Sequence, residues 1–440
     1  MNTPICDFLE KYASDDNIRL HMPGHKGIGA VERYDLTEIE GADSLYDANG
    51  IIKESENNAS ELFGSYTVYS AEGSSLSIRA MLYLATVGYK GEERALILAG
   101  RNAHKVFVSA AALLDFDVEW IVGEDNYLSC NPSDEELATR LDSMARRPRA
   151  VYITSPDYLG NMADIGALAK VCHDRGVMLL VDNAHGAYLA FTKPSMHPIA
   201  LGADMCADSA HKTLPCLTGA GYLHISNTVS DEIKSRAKTA MALFGSTSPS
   251  YLILASLDKA NAYIADGYKE KLAVFTSKLN ALKTRLKSLG YEIVGNEPMK
   301  LTIATKPYGY EGRELAGRLA LGGITPEFFD PDYLVLMPTP EIKDDELRRL
   351  ESLLSSLPRG ERITVKAPTI TLPKRALTPR EAVTSYAERI AVGEAEGRIL
   401  ADITVGCPPA IPIVVSGEVI GKDAIKAFLY YGIDHCIVVK

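Results

Sequence analysis

At 440 residues the chain is too long for one ordinary core, so two or three domains are expected. Its 46% hydrophobic and 23% charged residues give a soluble globular balance, and a net charge of −11 leaves no basic footprint for a nucleic-acid partner. Seven cysteines without a CxxC pair argue for reduced thiols in a cytoplasm, and no apolar run has transmembrane length.

The N-terminal stretch "MNTPICDFLEKYASDDNIRL" lacks a basic segment followed by an apolar one and does not read as a signal peptide. His21 and His25 are four apart, but Pro23 and Gly24 between them exclude a regular helical metal site. "GIGAVE" (27–32) lacks the third glycine and the preceding strand of a dinucleotide fingerprint. From about residue 60 to 225, short apolar runs alternate with helical patterns. Strands are read at 95–100, 118–122, 150–155 and 177–182, and helices at 134–147 and 165–176. The lone Trp120 is then a core or strand residue. Such alternation implies right-handed crossovers and a mostly parallel sheet, with ligands at the carboxyl ends of its strands. A helical stretch at about 250–289 leads into a smaller α+β unit with helices near 311–321 and 343–357. Residues 361–378, with two prolines, mark a boundary, and 379–440 form a third segment with its own helix and strands. The division expected is 1–60, 61–270, 271–360 and 361–440.

Four stretches follow predicted strands in the first half. "SAEGSSLSIRAML" (70–82) enters a helix through Gly73, Ser74 and Ser75, which suits either an anion at the free N–H groups or a serine cap. "GRNAHKVFVSAAALL" (100–114) places His104 where its ring can stack on a planar ligand or cap the helix. "VMLLVDNAHGAYL" (177–189) puts Asp182 at the tip of a buried strand with His185 three residues on. That carboxylate meets a cationic group or caps the turn. "GADMCADSAHKTLPCLTGAG" (202–221) reads as a strand over 204–208, followed by Ser209, His211 and Lys212. A lysine in a partly desolvated loop becomes a nucleophile for a carbonyl. Together, a phosphate cradle, a stacking ring, an aspartate and a lysine at successive strand ends are what pyridoxal 5'-phosphate requires.

With "LHMPGHKG" (20–27) and the order of these motifs, nearly the whole chain resembles the ornithine/lysine/arginine decarboxylases. That resemblance implies the aspartate-aminotransferase fold, fold type I: a large α/β domain, a small α+β domain and a C-terminal α/β segment. It further implies pyridoxal phosphate as cofactor, a basic amino acid as substrate and a place in polyamine biosynthesis. Lys212 would hold the cofactor aldehyde, Asp182 the ring nitrogen, and His104 the ring face, with His185 beside the cofactor. Gly73, Ser74, Ser75, Ser209 and His211 would serve the phosphate. "FGSTSPSYLILASLD" (244–258) resembles the segment reaching a neighbouring subunit's phosphate, which gives Thr247 that role and implies a homodimer with shared sites. Glu418 is the candidate carboxylate for a cationic substrate side chain.

The sequence also departs from the family. Asn183 replaces a frequent glutamate, Cys407 a tyrosine, Ala410 a glycine and Ser416 a proline. The 440 residues leave no room for the N-terminal wing domain of the longer inducible enzymes. Other reactions on the same scaffold, transamination or elimination, stay open, as does a non-catalytic relative.

Overall fold

The computed structural model describes residues 1–15, 17–123, 130–407 and 411–440. A seven-stranded sheet has the order β1-β7-β6-β5-β4-β2-β3, with β1 Tyr66–Ser70, β2 Leu96–Gly100, β3 Asp117–Ile121, β4 Ala150–Thr154, β5 Met178–Asp182, β6 Met205–Asp208 and β7 Gly221–Ile225. β5 and β6 run parallel, as do β2 and β3, while β7 is antiparallel to both β1 and β6. The strands expected from the apolar runs are therefore present. β7 is an addition, hidden in a glycine-flanked segment. The chain divides into two compact units, described in turn: residues 1–89, 149–151 and 165–272, then the remainder.

In the first unit β5, "MLLVD", is buried over its last four residues, the near-continuous apolar run of a strand covered on both faces. Helix α1 spans Pro4–Ser14, α2 Ile51–Phe63 and α3 Gly73–Thr86. Ten of the fourteen α3 residues are buried, so this helix is wrapped on all sides rather than lying on the surface. Buried Asp258, on helix Tyr251–Ala265, accepts the Ile5 and Cys6 N–H groups at 2.9 and 3.0 Å and the Ser55 hydroxyl at 2.6 Å. A carboxylate at the positive end of α1 satisfies donors that the helix cannot pair itself. His21 meets Tyr12 and His25 meets Asp35, so the two histidines do not converge on a common ligand.

The second unit contains β2 and β3, helix α4 (Lys105–Leu114), and a four-stranded antiparallel sheet of order β10-β11-β9-β8. Those strands are β8 Glu292–Val294, β9 Leu301–Ala304, β10 Phe328–Phe329 and β11 Tyr333–Leu336. Helices Gly312–Leu321 and Asp344–Ser356 match the expected pair. After a stretch without helix or strand that begins at residue 357, β12 (Ala387–Ala391) pairs with β15 (His435–Val439), and β13 (Thr404–Cys407) with β14 (Ile411–Val415). Helix Lys422–Tyr430 joins them around Val392, Leu400, Ile413, Phe428 and Val438. Trp120 lies in β3 with the Arg101 guanidinium 4.9 Å from its ring centre, a half-buried strand residue with a cationic neighbour.

In the first unit two backbones nearly touch at Gly221. A Cβ on Gly221 would stand 2.7 Å from the Gly73 carbonyl carbon and 2.9 Å from the Asp208 oxygen, both main-chain atoms. Neither can swing aside. We expect Gly221→Ala to cost about 1–3 kcal/mol, as overpacking does. Urea denaturation checks this; an unchanged midpoint would show that the backbones separate freely.

Candidate active site

The sequence places seven of its marked residues after the ends of β1, β5 and β6 in the first unit, and the structure brings Ser74 to Ser209 and Lys212 to His185 within hydrogen-bonding reach. β1 ends at Ser70, which pairs across the sheet with Gly221. The chain then enters α3 through Gly73, whose φ of +66° only glycine adopts without strain. Gly73 donates its N–H to the Gly219 carbonyl at 2.6 Å. No side chain caps α3, so the serine-cap alternative is not realised and the helix start keeps its electropositive character.

Ser209 follows β6 directly. Its hydroxyl donates to Ser74 Oγ at 2.8 Å, and the Ser74 N–H approaches Ser209 Oγ at 3.4 Å. His211 donates from Nδ1 to the Ala220 carbonyl at 2.8 Å, which orients its ring. The imidazole faces Gly73, where a Cβ would lie 3.4 Å from its Cε1. Lys212 occupies the short helix Ala210–Thr213, with its N–H on the Ser209 carbonyl at 3.1 Å. Its Nζ stands 3.1 Å from His185 Nε2, so a neutral imidazole accepts from the amine.

Asp182 ends β5 and is 2% exposed. One of its oxygens, Oδ1, accepts the Ala184 N–H at 3.2 Å, so the turn cap foreseen for this residue is present. His185 is buried beside it in sequence and holds the lysine contact. Thr247 is exposed, and its neighbour Ser246 donates an N–H to Glu72 Oε1 of the same chain at 2.7 Å. Ser75 follows Ser74 in the first turn of α3.

His104 and Glu418 belong to the second unit. His104 is the N-cap of α4, accepting the Val106 N–H on Nδ1 at 3.3 Å; the capping alternative is realised, and the ring orientation is thereby fixed. Glu418, expected to meet a substrate, is 2% exposed and accepts from Arg101 Nη2 at 2.7 Å and from the Val415 N–H at 2.9 Å. Burial pushes its carboxyl up, and Arg101 opposes that shift. Its oxygens already serve the protein. Ser416 is buried within the same segment, while Ala410 lies outside the described residues.

Sequence reading missed a polar group behind this site. Asn183 donates from Nδ2 to Asp208 Oδ1 at 2.7 Å, and His197 and His224 both approach the other Asp208 oxygen. Burial alone would raise the Asp208 carboxyl, but the two imidazoles outweigh it and hold the group well below the usual carboxylate range. The one available signal was the spacing of Cys206 and Asp208, which puts both on one face of a strand.

These residues fit pyridoxal phosphate. Gly73 and Ser74 form a cradle at the helix start, a half-buried amine stands beside an imidazole, and Thr213 Oγ1, next to Lys212, is buried without a hydrogen-bond partner. The family model for the Orn/Lys/Arg decarboxylase major domain matches residues 3–307, and that for the C-terminal domain matches 362–433. The chain is 30% identical to an arginine decarboxylase of Bacillus subtilis, over 98% of this chain and 94% of that one. An arginine decarboxylase of Halalkalibacterium halodurans is 28% identical, over 96% and 91% of the two chains. Among solved structures, the lysine decarboxylase of Francisella novicida superposes with a TM-score of 0.81 at 18% identity, covering 100% of this chain and 81% of that one. The constitutive lysine decarboxylase of E. coli gives 0.78 at 18%, with 100% and 82% covered. At those identities the two structures speak for the fold. By the extent of the family match, this chain belongs to the Orn/Lys/Arg decarboxylases, pyridoxal-phosphate-dependent enzymes of fold type I that act on basic amino acids.

Proposed function

We propose that the chain releases the α-carboxylate of arginine, lysine or ornithine as CO2, with Lys212, Asp182, His104 and His185 as the catalytic residues. The observation that carries this assignment is Lys212 Nζ at 3.1 Å from His185 Nε2, on the loop that Ser209 ties to the α3 start. Bound pyridoxal phosphate supplies an aldehyde for the substrate amine and a ring that takes up the electron pair left by CO2. His185 holds Lys212 Nζ in place through their 3.1 Å contact, and the amine, once unprotonated, has the lone pair that a carbonyl takes up. Asp182, a buried carboxylate at the tip of β5, is suited to hold a proton on the ring nitrogen by opposite charge. Gly73, Ser74, Ser75, Ser209 and His211 offer donors and close backbone approach for a phosphate, and the His104 ring, set by its capping bond, offers a stacking face. Relatives that are arginine decarboxylases support arginine as the first substrate to test.

We further propose a homodimer in which Thr247 reaches the partner's phosphate, supported by the exposure of the 246–248 loop and its resemblance to the family's cross-subunit segment. No helix among the described residues is long and apolar enough to cross a membrane. Cys6, Cys130, Cys172, Cys206, Cys216 and Cys436 are free thiols, which supports a cytoplasmic enzyme whose amine product would feed polyamine biosynthesis.

The direct test is CO2 release from the three amino acids by the cofactor-loaded protein. Lys212→Ala should abolish that release together with the visible absorption of the covalently held cofactor. Keto acid formed without CO2 would reject the decarboxylase reading, and a fully active Lys212→Ala variant would reject the assignment of the lysine.

Asp182→Asn keeps size and shape while removing the charge. Loss of a group acting mainly in the transition state costs about 10²-fold or more in rate. We expect that loss with cofactor binding largely kept, and an altered pH dependence of the cofactor spectrum. Normal turnover with an unchanged spectrum would leave Asp182 as a turn cap alone.

For assembly, Lys212→Ala and Thr247→Asp chains are inactive separately and are refolded together. If Thr247 acts across subunits, each mixed dimer regains one complete site of two. If it acts within its own chain, no mixed site is complete and no activity returns.

A further inference from the structure

Behind the lysine loop, four side chains with metal-ligating atoms converge in the core of the first unit. Cys206 and Asp208 alternate on β6 and so share one face of the sheet. His224 on β7 sits directly opposite Cys206 in the register, and His197 comes in from the segment before β6. All four are buried, His224 and Asp208 to 0% exposure. His197 Nε2 is 3.1 Å and His224 Nε2 3.3 Å from Asp208 Oδ2. Cys206 Sγ is 3.8 Å from His197 Nε2 and 3.9 Å from Asp208 Oδ1.

In this His–Asp–His arrangement His197 is hydrogen-bonded to Asp208, while His224 Nε2 stands 3.3 Å from the same oxygen outside hydrogen-bonding geometry. Its Nε2 is fully buried, aimed at the cluster, and has no hydrogen-bond partner. The opposite nitrogen, Nδ1, is 3.0 Å from Thr67 Oγ1 and 3.2 Å from Ser65 Oγ, so two hydroxyls fix which nitrogen points inward. The carboxylate is held in the same way, by the Asn183 amide on Oδ1 at 2.7 Å. Outer partners that orient imidazole and carboxylate are the usual surroundings of a metal-binding set.

We propose that His197, Cys206, Asp208 and His224 form a closed tetrahedral site for a borderline divalent cation, with Zn²⁺ the best match. Bond lengths of about 2.0–2.3 Å imply ligand–ligand separations of roughly 3.3–3.7 Å, near the spacings observed. Two neutral imidazoles, a carboxylate and a thiolate carry two negative charges, which a divalent ion neutralises; the thiol proton leaves for solvent on binding. Nitrogen and sulfur donors disfavour Mg²⁺ and Ca²⁺, which take oxygen. With four protein ligands and no exposed position, the ion is structural. It clamps β6 to β7 immediately before Ser209.

The test uses the full cofactor-loaded chain, grown with added zinc and freed of loose metal by gel filtration. Mass-spectrometric metal analysis should find stoichiometric zinc, reduced at least tenfold in His224→Gln. Growth with Co²⁺ instead should give the intense visible bands of a tetrahedral ion and a sulfur-to-cobalt charge-transfer band that Cys206→Ser removes. Trace metal in the wild-type chain with no uptake of either ion would overturn the proposal. So would bound cobalt lacking the sulfur band, or zinc content unaffected by His224→Gln. Should His224→Gln fail to fold, the wild-type zinc content and the Cys206→Ser cobalt spectrum decide alone.

Discussion

The close approach of two backbones, at Gly73 and Gly221, governs the geometry of the first unit. Only a hydrogen fits at Gly221, because a Cβ would meet the main chain of Gly73 and Asp208. The Gly73 N–H bond to Gly219 closes the same junction from the other side. With those backbones in contact, the α3 start stands against the end of β6. Ser209 can then reach Ser74, and the next turn carries Lys212 toward His185. Side-chain chemistry here depends on the absence of side chains two strands away.

Each unit also buries charge, and it is resolved in more than one way. In the second, Glu418 and Arg101 neutralise each other at 2.7 Å with almost no exposure. Such a pair contributes little net stability compared with apolar packing, but breaking it leaves an uncompensated charge, commonly at about 3–5 kcal/mol. In the first unit, Asp208 has no arginine or lysine in reach among its described contacts; imidazoles and an amide surround it instead.

Much of the fold was legible because apolar runs of strand length alternate with helical periodicity, and β2, β4 and β5 fall within a residue of where that pattern puts them. β7 was not legible. "GYLHI" mixes glycine, tyrosine and histidine, and its burial comes from neighbours on both sides rather than from its own composition. At the site, Gly73, Ser74, Ser209, Lys212 and His185 could be named because each sits at a turn whose chemistry is local. Glu418 could not be placed, because Arg101 lies 317 residues away in sequence and no spacing rule connects them. The Asp208 cluster was hidden for the same reason. Cys206 and Asp208 are two apart, but His224 joins them only through the β6–β7 register.

That cluster gives a physical reason for one departure from the family pattern. Where the family often has glutamate, this chain has Asn183, whose Nδ2 lies 2.7 Å from Asp208 Oδ1. A carboxylate at that distance would repel Asp208, with both groups fully buried, and one of the two would have to take up a proton. An amide instead donates, orienting the carboxylate and leaving its charge intact for the imidazoles on the other oxygen. Asn183 is also the residue after Asp182, so any rearrangement needed to relieve such a repulsion would be felt at the tip of β5. The amide at 183 and the carboxylate at 208 are therefore best understood as a matched pair. Each makes the other tolerable, and together they keep the strand end that carries Asp182 in register with the one that leads to Lys212.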